Sequence, residues 1–375
     1  MMQSYYNPTK ILLGNSIVIL KRLLVEFSNK NILALYSNGF GERNKDIDKL
    51  FKNRGNIFIY NKVQYNPDIE YIYQTIKELE NFNFDYIIAI GGGSVIDTAK
   101  AISAIRNTSF DNKDDLRDII VEERYNHHNN FTPIMAIPTT SGTGSEVTSW
   151  GTVWDFKNNK KYSIASFSLY PQKAIIDPEL TISLSRELTA ITGLDALSHA
   201  IESFWAKKTN VISRIYAIKS IEIITEALPN ILYDLSNLEL RRQMALGSLY
   251  AGLAFSNTKT TACHSISYPL TMMYGIPHGI AVSMTLGKIF DINKKHIVNV
   301  DELVQVFKKR NVRSLDNFIK KIFEISNIKH NLKDYGVKKD QIAEIISSSF
   351  TKGRMDNNPV DITKDQLEDI LIDLL

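Results

Sequence analysis

Cysteine is nearly absent from this sequence, in which Cys263 is the single one among 375 residues. One cysteine cannot form an intramolecular disulfide, so the disulfide-stabilised secreted scaffolds are excluded and a reducing compartment is favoured. The first residues, MMQSYYNPTKILLG, lack a basic region followed by an apolar stretch and a small-residue cleavage site. No apolar run has the length of a membrane span. The sequence therefore predicts a cytoplasmic protein without a membrane partner.

The chain also lacks a strong charge of either sign, since 44 basic and 41 acidic residues leave a formal net charge of +3. The basic residues are dispersed, and the densest short run, residues 308–310, is typical of a solvated helix face. We therefore expect no nucleic-acid partner. What is present is an ordinary globular composition, 44% hydrophobic and 23% charged, and a length that favours two domains.

The first half of the chain alternates short apolar runs with helical patterns. Residues 31–36 (NILALY), 57–60 (IFIY) and 85–90 (DYIIAI) are predicted strands, and residues 69–82 form a predicted helix. Further strand candidates lie at residues 135–137 and 174–176. Strands that alternate with helices predict a parallel sheet covered by helices, the α/β class.

The second half of the chain has a different pattern, because helical periodicity dominates after about residue 184. Helices are predicted at residues 186–209, 211–228, 238–256 and 260–273. Turn signals in DPELTISL separate the alternating strand and helix pattern of the first half from the helical pattern of the second half. The sequence thus predicts an α/β domain over residues 1–184 and an all-α domain over residues 185–375.

Four potential metal ligands are spaced in two pairs within the predicted helical domain. Asp195 and His199 in GLDALSHAIE lie four residues apart, which places them on one helix face. His264 in TTACHSISYPL and His278 in GIPHGIA add two imidazoles. A lone histidine is more often a packed or surface residue, but three of the chain's seven histidines fall here. This set indicates a divalent metal that can act as a Lewis acid toward a substrate oxygen.

Two loops in the first half have the composition of a cofactor site. GGGSVIDTAK, residues 91–100, directly follows the predicted strand at 85–90 and opens a helix. Its glycines let the backbone approach a phosphate, to which Ser94 and the free amides of the first turn can donate. A glycine triplet alone is equally consistent with a tight turn. The hydroxyl-rich loop PTTSGTGSEVT, residues 138–148, supports the cofactor interpretation.

GGGSVIDTAK, PTTSGTGSEVT, GLDALSHAIE and the HSISYPL…GIPHG pair, in this order along the chain, resemble the iron-containing alcohol dehydrogenase family, and the resemblance covers essentially the whole chain. The resemblance implies a Rossmann-like N-terminal domain, a helical C-terminal domain, a metal in the cleft between them and a homodimer. Fe²⁺ is the implied metal, and Zn²⁺ or Mn²⁺ also suits one carboxylate with three imidazoles. The implied metal ligands are Asp195, His199, His264 and His278. The implied cofactor contacts are Gly92, Gly93, Ser94 and Asp97 at the diphosphate and nicotinamide, with Thr139, Thr140 and Lys161.

The sequence departs from the family pattern at two positions. Many members carry a histidine four residues after the third ligand, where this chain has Tyr268. Tyr268 can donate a proton through its hydroxyl, although a packing role is equally consistent with its position. The turn after the first predicted strand, where an acidic residue would bind the ribose 2′-hydroxyl, holds Ser37 and Asn38 with Arg43 nearby. Without that carboxylate, NADPH fits as well as NADH.

Helical counting through NTKTTACHSISYPLT predicts a polar face around His264. On one continuous helix, Asn257, Thr260, Thr261, His264, Ser267 and Tyr268 would share that face, with Lys259 at its margin. A polar stripe beside a cation suggests an anionic or oxygen-rich substrate. Solvent exposure of Lys259 and back-bonding of the threonines is the alternative interpretation.

The same run resembles the phosphonoacetaldehyde reductase branch of the family. The resemblance implies an NAD(P)H-dependent aldehyde reductase that converts phosphonoacetaldehyde to 2-hydroxyethylphosphonate, with Lys259, Thr260 and Tyr268 on the substrate side. Two alternatives are a general short-chain alcohol dehydrogenase of the butanol or lactaldehyde type and a sugar-phosphate dehydrogenase of the same fold. A non-catalytic metal-binding module is disfavoured, since all four ligand positions and both cofactor loops are retained.

Overall fold

A computed structural model describes residues 3–128, 130–158 and 160–375. The chain divides into two compact units. The α/β unit consists of Asn7–Thr140 and Ser145–Thr181, and the helical unit consists of residues 3–6, Ser141–Gly144 and Ile182–Leu375. Among the described helices, none combines the length and apolar character that a membrane-spanning segment needs.

The α/β unit is built on a single large sheet and a small hairpin. Its strands are β1 (Lys10–Leu13), β2 (Ile32–Ser37), β3 (Ile57–Val63), β4 (Tyr86–Gly91), β5 (Ile134–Pro138), β6 (Trp150–Asp155), β7 (Lys160–Ala165) and β8 (Lys173–Ile176). The sheet has six strands in the order β1-β8-β5-β4-β2-β3, all paired in parallel. Strands β6 and β7 form a separate antiparallel pair.

Helices cover the sheet on both faces. They are α1 (Ser16–Glu26), α2 (Phe40–Arg43), α3 (Lys45–Lys52), α4 (Ile69–Glu78), α5 (Gly93–Ile105) and α6 (Lys113–Val121). One core contains α4, α5 and α6 residues, and the other contains α1 and α3 residues. Strand β4 is buried along its whole length, which explains why its sequence is an unbroken apolar run.

The strand order creates a crevice at the carboxyl end of the sheet. The chain passes from β2 outward to β3, then returns to the other side of β2 to form β4 and β5. The connections after β2 and after β4 therefore leave in opposite directions, and such a switch point is where open α/β sheets bind ligands. Ser37 ends β2, and the glycine turn follows β4.

The helical unit consists of α-helices and short 3₁₀ turns. Its helices are α7 (Arg186–Trp205), α8 (Val211–Ile231), α9 (Leu238–Thr258), α10 (Ala262–Tyr274), α11 (His278–Asn293), α12 (Val300–Lys309), α13 (Leu315–Ser326), α14 (Ile342–Ser348) and α15 (Lys364–Asp373). One large apolar core joins them. The predicted fold class, a parallel α/β domain followed by an all-α domain, is confirmed.

Close contact between α7 and α11 depends on Gly279. A Cβ atom at this position would lie 2.2 Å from the carbonyl oxygen of Ile191 on α7, so a side chain there would force the helices apart. His278 is the first residue of α11. The missing side chain at Gly279 thus lets the start of α11 reach the middle of α7.

Candidate metal and cofactor sites

Helix α7 presents three ionisable side chains on one face. Asp195, His199 and Glu202 stand at positions i, i+4 and i+7, so their side chains project from the same side of successive turns. The helix is fixed at its start by Ser185, whose hydroxyl accepts a hydrogen bond of 3.1 Å from the Leu188 amide. All three ionisable residues are buried, which is costly for charges unless a partner compensates.

Two further helices bring histidines to Asp195. His264 lies in the first turn of α10 and His278 begins α11. The Oδ1 atom of Asp195 is 3.9 Å from Nδ1 of His199, 3.8 Å from Nε2 of His264 and 3.9 Å from Nε2 of His278. The structure therefore gathers all four predicted ligands around one carboxylate oxygen.

The spacing of these atoms fits ligands of a shared ion better than hydrogen-bonded pairs. Hydrogen bonds between nitrogen and oxygen are about 2.7–3.2 Å long, whereas ligands at about 2.0–2.2 Å from a tetrahedral ion lie roughly 3.3–3.6 Å apart. Ligand atoms of Asp195, His199 and His264 all lie within 4.8 Å of one another. The observed distances of 3.8–3.9 Å are a slightly expanded form of that arrangement.

Burial of the donor atoms supports the same conclusion. Nε2 of His264 is buried and has no hydrogen-bond partner among the described residues. A buried ring nitrogen without a hydrogen-bond partner destabilises the fold unless a ligand binds to it. The His199 ring stacks on Phe255 with centroids 4.1 Å apart, which fixes its plane. One oxygen and three nitrogens in this setting fit a divalent transition metal.

Glu202 is a residue of this site that the sequence analysis missed. One of its carboxylate oxygens contacts Nδ1 of His264. The other accepts hydrogen bonds from the Thr261 hydroxyl at 2.6 Å and the Cys263 amide at 2.8 Å. The signal in the sequence was its spacing, three residues after His199 on the same helix face.

The Glu202 and His264 side chains stabilise each other's charged form. Burial alone would raise the pKa of Glu202, but the charge and hydrogen bond of His264 outweigh it and hold that pKa below its ordinary value. Burial would likewise lower the pKa of His264, yet the Glu202 carboxylate raises it overall. The two side chains are therefore coupled partners rather than two isolated buried groups.

Tyr268 lies one turn beyond His264 on α10 and is half-buried. Its ring stacks against that of His278, with centroids 6.2 Å apart and planes 15° from parallel. The tyrosine is thus next to the ligand cluster, on the side where His278 is partly exposed. A hydroxyl at this place can take part in proton transfer.

The predicted polar face through residues 257–268 is wrong, because the chain is not one helix there. Helix α9 ends at Thr258, Lys259 adopts a left-handed conformation with φ 61°, and α10 starts at Ala262. Asn257 bonds to the backbone of Tyr6 instead. Helical counting failed since a left-handed residue interrupts the register.

Lys259 and Thr260 therefore occupy the connection between two helices. Lys259 is exposed, whereas Thr260 is buried and its carbonyl oxygen accepts a hydrogen bond of 3.0 Å from the Asn357 side chain. Thr261 is engaged with Glu202 and with the Trp205 indole, which donates to its hydroxyl at 2.8 Å. Thr260 and Thr261 thus stabilise the connection between α9 and α10.

The α/β unit brings the glycine turn and the hydroxyl-rich loop together. Gly92 is the N-cap residue of α5, and no side chain caps that helix. Strands β4 and β5 are neighbours, and the Thr139 amide donates to the Gly91 carbonyl at 3.1 Å. A Cβ atom at Gly92 would lie 3.3 Å from the Thr140 side chain. The start of α5, where the N-cap residue has no side chain, thus lies beside two half-buried threonines, a suitable cradle for phosphate.

The remaining predicted cofactor residues other than Asp97 lie on three elements of the α/β unit: Ser94 on α5, Ser37 on β2 and Lys161 on β7. Ser94 accepts a hydrogen bond of 3.1 Å from the Asn66 amide. Ser37 is half-buried at the end of β2, at the switch point of the sheet. Lys161 is half-buried on β7, with its ammonium 5.4 Å from the centre of the Trp154 ring.

Asp97 belongs to a buried hydrogen-bond network. Its carboxylate accepts from the Ser145 hydroxyl at 2.6 Å and from the Thr152 amide at 3.0 Å. Lys100, one turn further along α5, donates to Ser145 O at 2.6 Å, Ser145 Oγ at 2.9 Å, Thr148 Oγ1 at 3.1 Å and Trp150 O at 2.7 Å. The network fastens residues 145–152 to α5, and Lys100 is not among the residues predicted from the sequence.

Burial shifts the pKa values of three groups in this network toward their neutral forms. Burial lowers the pKa of Lys100 to about 8, against the opposing charges of Asp97 and Glu146. It raises the pKa of Glu146 to about 7 and also raises that of Asp97. The charge of one buried cation, Lys100, thus opposes the rise in pKa of both carboxyl groups.

Comparison with family models adds a second line of evidence. Residues 8–178 match the model described as iron-containing alcohol dehydrogenase. Residues 189–375 match the model described as Fe-containing alcohol dehydrogenase family, C-terminal. The two models together cover both units and both sites described above.

Relatives and solved structures agree with these matches. An NADPH-dependent butanol dehydrogenase of Clostridium saccharobutylicum is 30% identical over 364 residues, covering 92% of each chain. Lactaldehyde reductase of Escherichia coli strain K12 is 31% identical over 329 residues, covering 84% of this chain and 82% of the other. A crystal structure of sulfoacetaldehyde reductase from Bifidobacterium kashiwanohense in complex with NAD⁺ is 30% identical, with a TM-score of 0.85 and coverage of 100% and 99%.

Proposed function

The chain belongs to the iron-containing alcohol dehydrogenase family, and from this premise we propose that it reduces a small anionic aldehyde, phosphonoacetaldehyde, to 2-hydroxyethylphosphonate. The enzyme is an NAD(P)-dependent alcohol dehydrogenase. The observation that carries the reductase chemistry is the buried cluster in which three imidazole nitrogens stand 3.8–3.9 Å from Asp195 Oδ1.

Four residues would hold the metal, namely Asp195, His199, His264 and His278. Fe²⁺ is the proposed ion, and the same donors suit Zn²⁺ and Mn²⁺. When bound, the metal supplies Lewis-acid polarisation of a carbonyl oxygen, and the nicotinamide supplies a hydride. The protein's contribution is to hold the four donors rigidly, with His199 against Phe255 and His264 against Glu202.

Tyr268 is our candidate for the proton donor. Reduction of an aldehyde by a hydride leaves an alkoxide, which must gain one proton to become an alcohol. Tyr268 is half-buried and stacks on His278, so its hydroxyl can pass that proton directly or through a water. Lys259 is exposed and Thr260 is buried in the connection between α9 and α10, and we propose both on the substrate side only.

The proposed cofactor contacts are the residues of the phosphate cradle and its surroundings. Gly92, Gly93 and Ser94 would bind the diphosphate, and Thr139 and Thr140 would donate to the same region. Asp97 and Lys161 are proposed to act nearby. Ser37 ends β2 and Arg43 follows it at the end of α2, so the turn has a cation where a 2′-phosphate would lie. This favours NADPH, with NADH as the alternative.

A two-carbon aldehyde with a tetrahedral anionic group is the substrate class we favour. The sulfoacetaldehyde reductase that resembles this chain acts, by its name, on such an aldehyde. Phosphonoacetaldehyde differs from it in the acidic group. Lys259 is an exposed cation five residues before His264 and can attract such a charge.

The test of this function is nicotinamide oxidation by anaerobically purified protein loaded with Fe²⁺. NADPH and NADH are compared with phosphonoacetaldehyde, sulfoacetaldehyde, butyraldehyde, lactaldehyde and a sugar phosphate. A higher kcat/KM for phosphonoacetaldehyde than for the neutral aldehydes supports the proposal. Equal or better rates with butyraldehyde or lactaldehyde overturn the narrow substrate and leave a general short-chain alcohol dehydrogenase. A preference for the sugar phosphate would identify a sugar-phosphate dehydrogenase.

The role of Lys259 is tested by Lys259→Ala beside Lys208→Ala, an exposed lysine elsewhere in the helical unit. We expect Lys259→Ala to raise KM for the phosphonate several-fold, to leave KM for butyraldehyde unchanged, and Lys208→Ala to change neither. Equal KM changes for charged and neutral aldehydes would count against an anion contact. A homodimer stays a prediction from the family resemblance, and a cytoplasmic location stays a prediction from the sequence.

A further inference from the structure

We propose that Glu202 is a positioning residue that sets the tautomer and orientation of His264 for metal binding. The inference rests on the proposed metal-dependent function and concerns a side chain outside the four ligands. It starts from the complete burial of a carboxylate, with 0% of Glu202 exposed.

A fully buried carboxylate needs compensation from several donors. Within the described part of the chain, the side-chain hydrogen-bond partners of Glu202 all lie at the start of α10. The Thr261 hydroxyl, the Cys263 amide and, at 3.4 Å, the His264 amide all donate to Oε1. These amides belong to the first turn of α10, whose N-cap residue Thr261 makes no side-chain cap hydrogen bond. Glu202 therefore replaces the missing cap from a neighbouring helix.

The second oxygen of Glu202 acts on the imidazole itself. Oε2 contacts Nδ1 of His264, and an ionised carboxylate can only accept a hydrogen bond. The neutral imidazole must then carry its proton on Nδ1, which leaves the lone pair on Nε2. That atom is the one that lies 3.8 Å from Asp195 Oδ1. One carboxylate thus fixes both the helix that carries His264 and the nitrogen that faces the cluster.

The geometry also explains why the two roles fall to a single residue. Glu202 stands one turn after His199 and two after Asp195 on α7, so the helix that supplies two ligands also orients the third. The Trp205 indole extends the network by donating to Thr261 at 2.8 Å, without a contact to His264. Trp205 is therefore a matched control for the network's structural role.

The experiment compares Glu202→Gln with Trp205→Phe and the wild-type chain. The amide of glutamine can donate to Nδ1, which favours the opposite tautomer and turns a proton toward the metal position. Affinity for Zn²⁺ and Co²⁺ is measured by competition with a chromophoric chelator, and the visible spectrum of the Co²⁺ form reports the ligand geometry. We expect Glu202→Gln to bind about 10- to 100-fold more weakly with an altered Co²⁺ spectrum, and Trp205→Phe to bind like wild type.

A measurement on the wild-type chain guards against misfolding of the variant. In the Zn²⁺-loaded protein with ¹⁵N-labelled histidine, the signal lost in His264→Asn should show a protonated Nδ1 and a metal-bound Nε2. An unprotonated Nδ1, or equal metal affinity in Glu202→Gln and wild type, would overturn the inference. Wild-type protein that binds neither metal would instead overturn the proposed metal-dependent function, so the two failures are distinguishable.

Discussion

The two units of this chain each bury a cluster of charged side chains, and the two clusters are spaced differently. Around Asp195, three imidazole nitrogens stand at 3.8–3.9 Å from one carboxylate oxygen. Around Lys100, four oxygens stand at 2.6–3.1 Å from one ammonium. The first spacing is too long for hydrogen bonds, and the second is typical of them.

This difference in spacing distinguishes a ligand-binding site, the Asp195 cluster, from a hydrogen-bond network that stabilises the fold, the Lys100 network. The Lys100 network is complete without any added group, because its cation and the Asp97 carboxylate each bond to neighbouring loops. The Asp195 cluster contains a buried imidazole nitrogen on His264 without a hydrogen-bond partner in the described chain. Burial and charge alone would not distinguish the two clusters, whereas the distances between their atoms do.

The largest expected effect comes from breaking the first cluster with Asp195→Asn, which keeps the shape and removes the charge. We expect weak metal binding and a fall in kcat/KM of about 10³-fold or more, since Lewis-acid stabilisation amounts to several kcal/mol. Steady-state kinetics and metal analysis check this. Asp361→Asn, at a carboxylate whose side chain is 95% exposed, is the control and should behave like wild type. Full activity in Asp195→Asn would contradict a metal role.

Disruption of the Lys100 network should lower the free energy of unfolding rather than the metal affinity. Lys100→Met removes the donor of four hydrogen bonds to oxygens of Ser145, Thr148 and Trp150, and each buried acceptor left unsatisfied costs about 1–3 kcal/mol. Urea unfolding of the metal-free protein measures the change. Metal affinity of the folded variant should match wild type, and Lys21→Met, at an exposed position of α1, should be near neutral. A Lys100→Met protein as stable as wild type would mean that the network contributes little.

Local features of both units were predictable from the sequence. Strands β2 to β5 and β8 and helices α7 to α10 lie within a few residues of their predicted positions, because apolar periodicity and glycine or proline breaks are local signals. The pairing of Asp195 with His199 followed from helix geometry alone. His278 was a candidate ligand from the sequence, but its approach to α7 depends on the packing of Gly279 against Ile191, which no local pattern predicts.

The missed residues share one physical reason. Glu202, Lys100 and Glu146 are charged side chains, and a charge in a sequence is taken for a surface residue unless tertiary packing is known. Their burial depends on distant contacts, such as that of Lys100 with Ser145, 45 positions away, and that of Glu202 with Cys263, 61 positions away. The failed polar face around Lys259 has a different cause, since a single left-handed residue shifted the helical register.

A pH series on Glu146→Gln sharpens the comparison further. The folded-state pKa of Glu146 is raised to about 7 from the ordinary value of 4.5, so the folded chain binds the extra proton between these values. The contribution of Glu146 to the free energy of unfolding of the wild-type protein therefore falls as pH rises from 4.5 to 7. Relative to wild type, Glu146→Gln should gain about 1–3 kcal/mol over that window and keep the gain at higher pH. The charge of Lys100 opposes this rise in the pKa of Glu146, so Lys100→Met should also change how stability depends on pH.

Urea unfolding of the metal-free protein from pH 5 to pH 8.5 measures that difference. Glu80→Gln, at a carboxylate whose side chain is 64% exposed, is the matched control and should give a pH-independent offset. A constant difference between Glu146→Gln and wild type across the series would show that Glu146 does not titrate in this range.

The smallest expected effect lies at the edge of the first cluster, in Tyr268→Phe. Removing the hydroxyl leaves the ring stacked on His278, so the ligands should keep their positions and metal affinity should be unchanged. General acid catalysis contributes about 10²–10⁴-fold, but a water can enter beside a half-buried ring and replace part of it. We therefore expect kcat to fall by about 10-fold, which corresponds to about 1.4 kcal/mol.

Tyr274→Phe, at a half-buried tyrosine near the end of the same helix, controls for loss of a phenol hydroxyl and should leave kcat unchanged. An unchanged kcat in Tyr268→Phe as well would assign Tyr268 to packing. A solvent deuterium isotope effect that changes only in Tyr268→Phe would instead connect this hydroxyl to the proton. In that case the Asp195 cluster would differ from the Lys100 network in a second respect. The Tyr268 hydroxyl, on the partly exposed side of the Asp195 cluster, would be the group that gives a proton to the substrate.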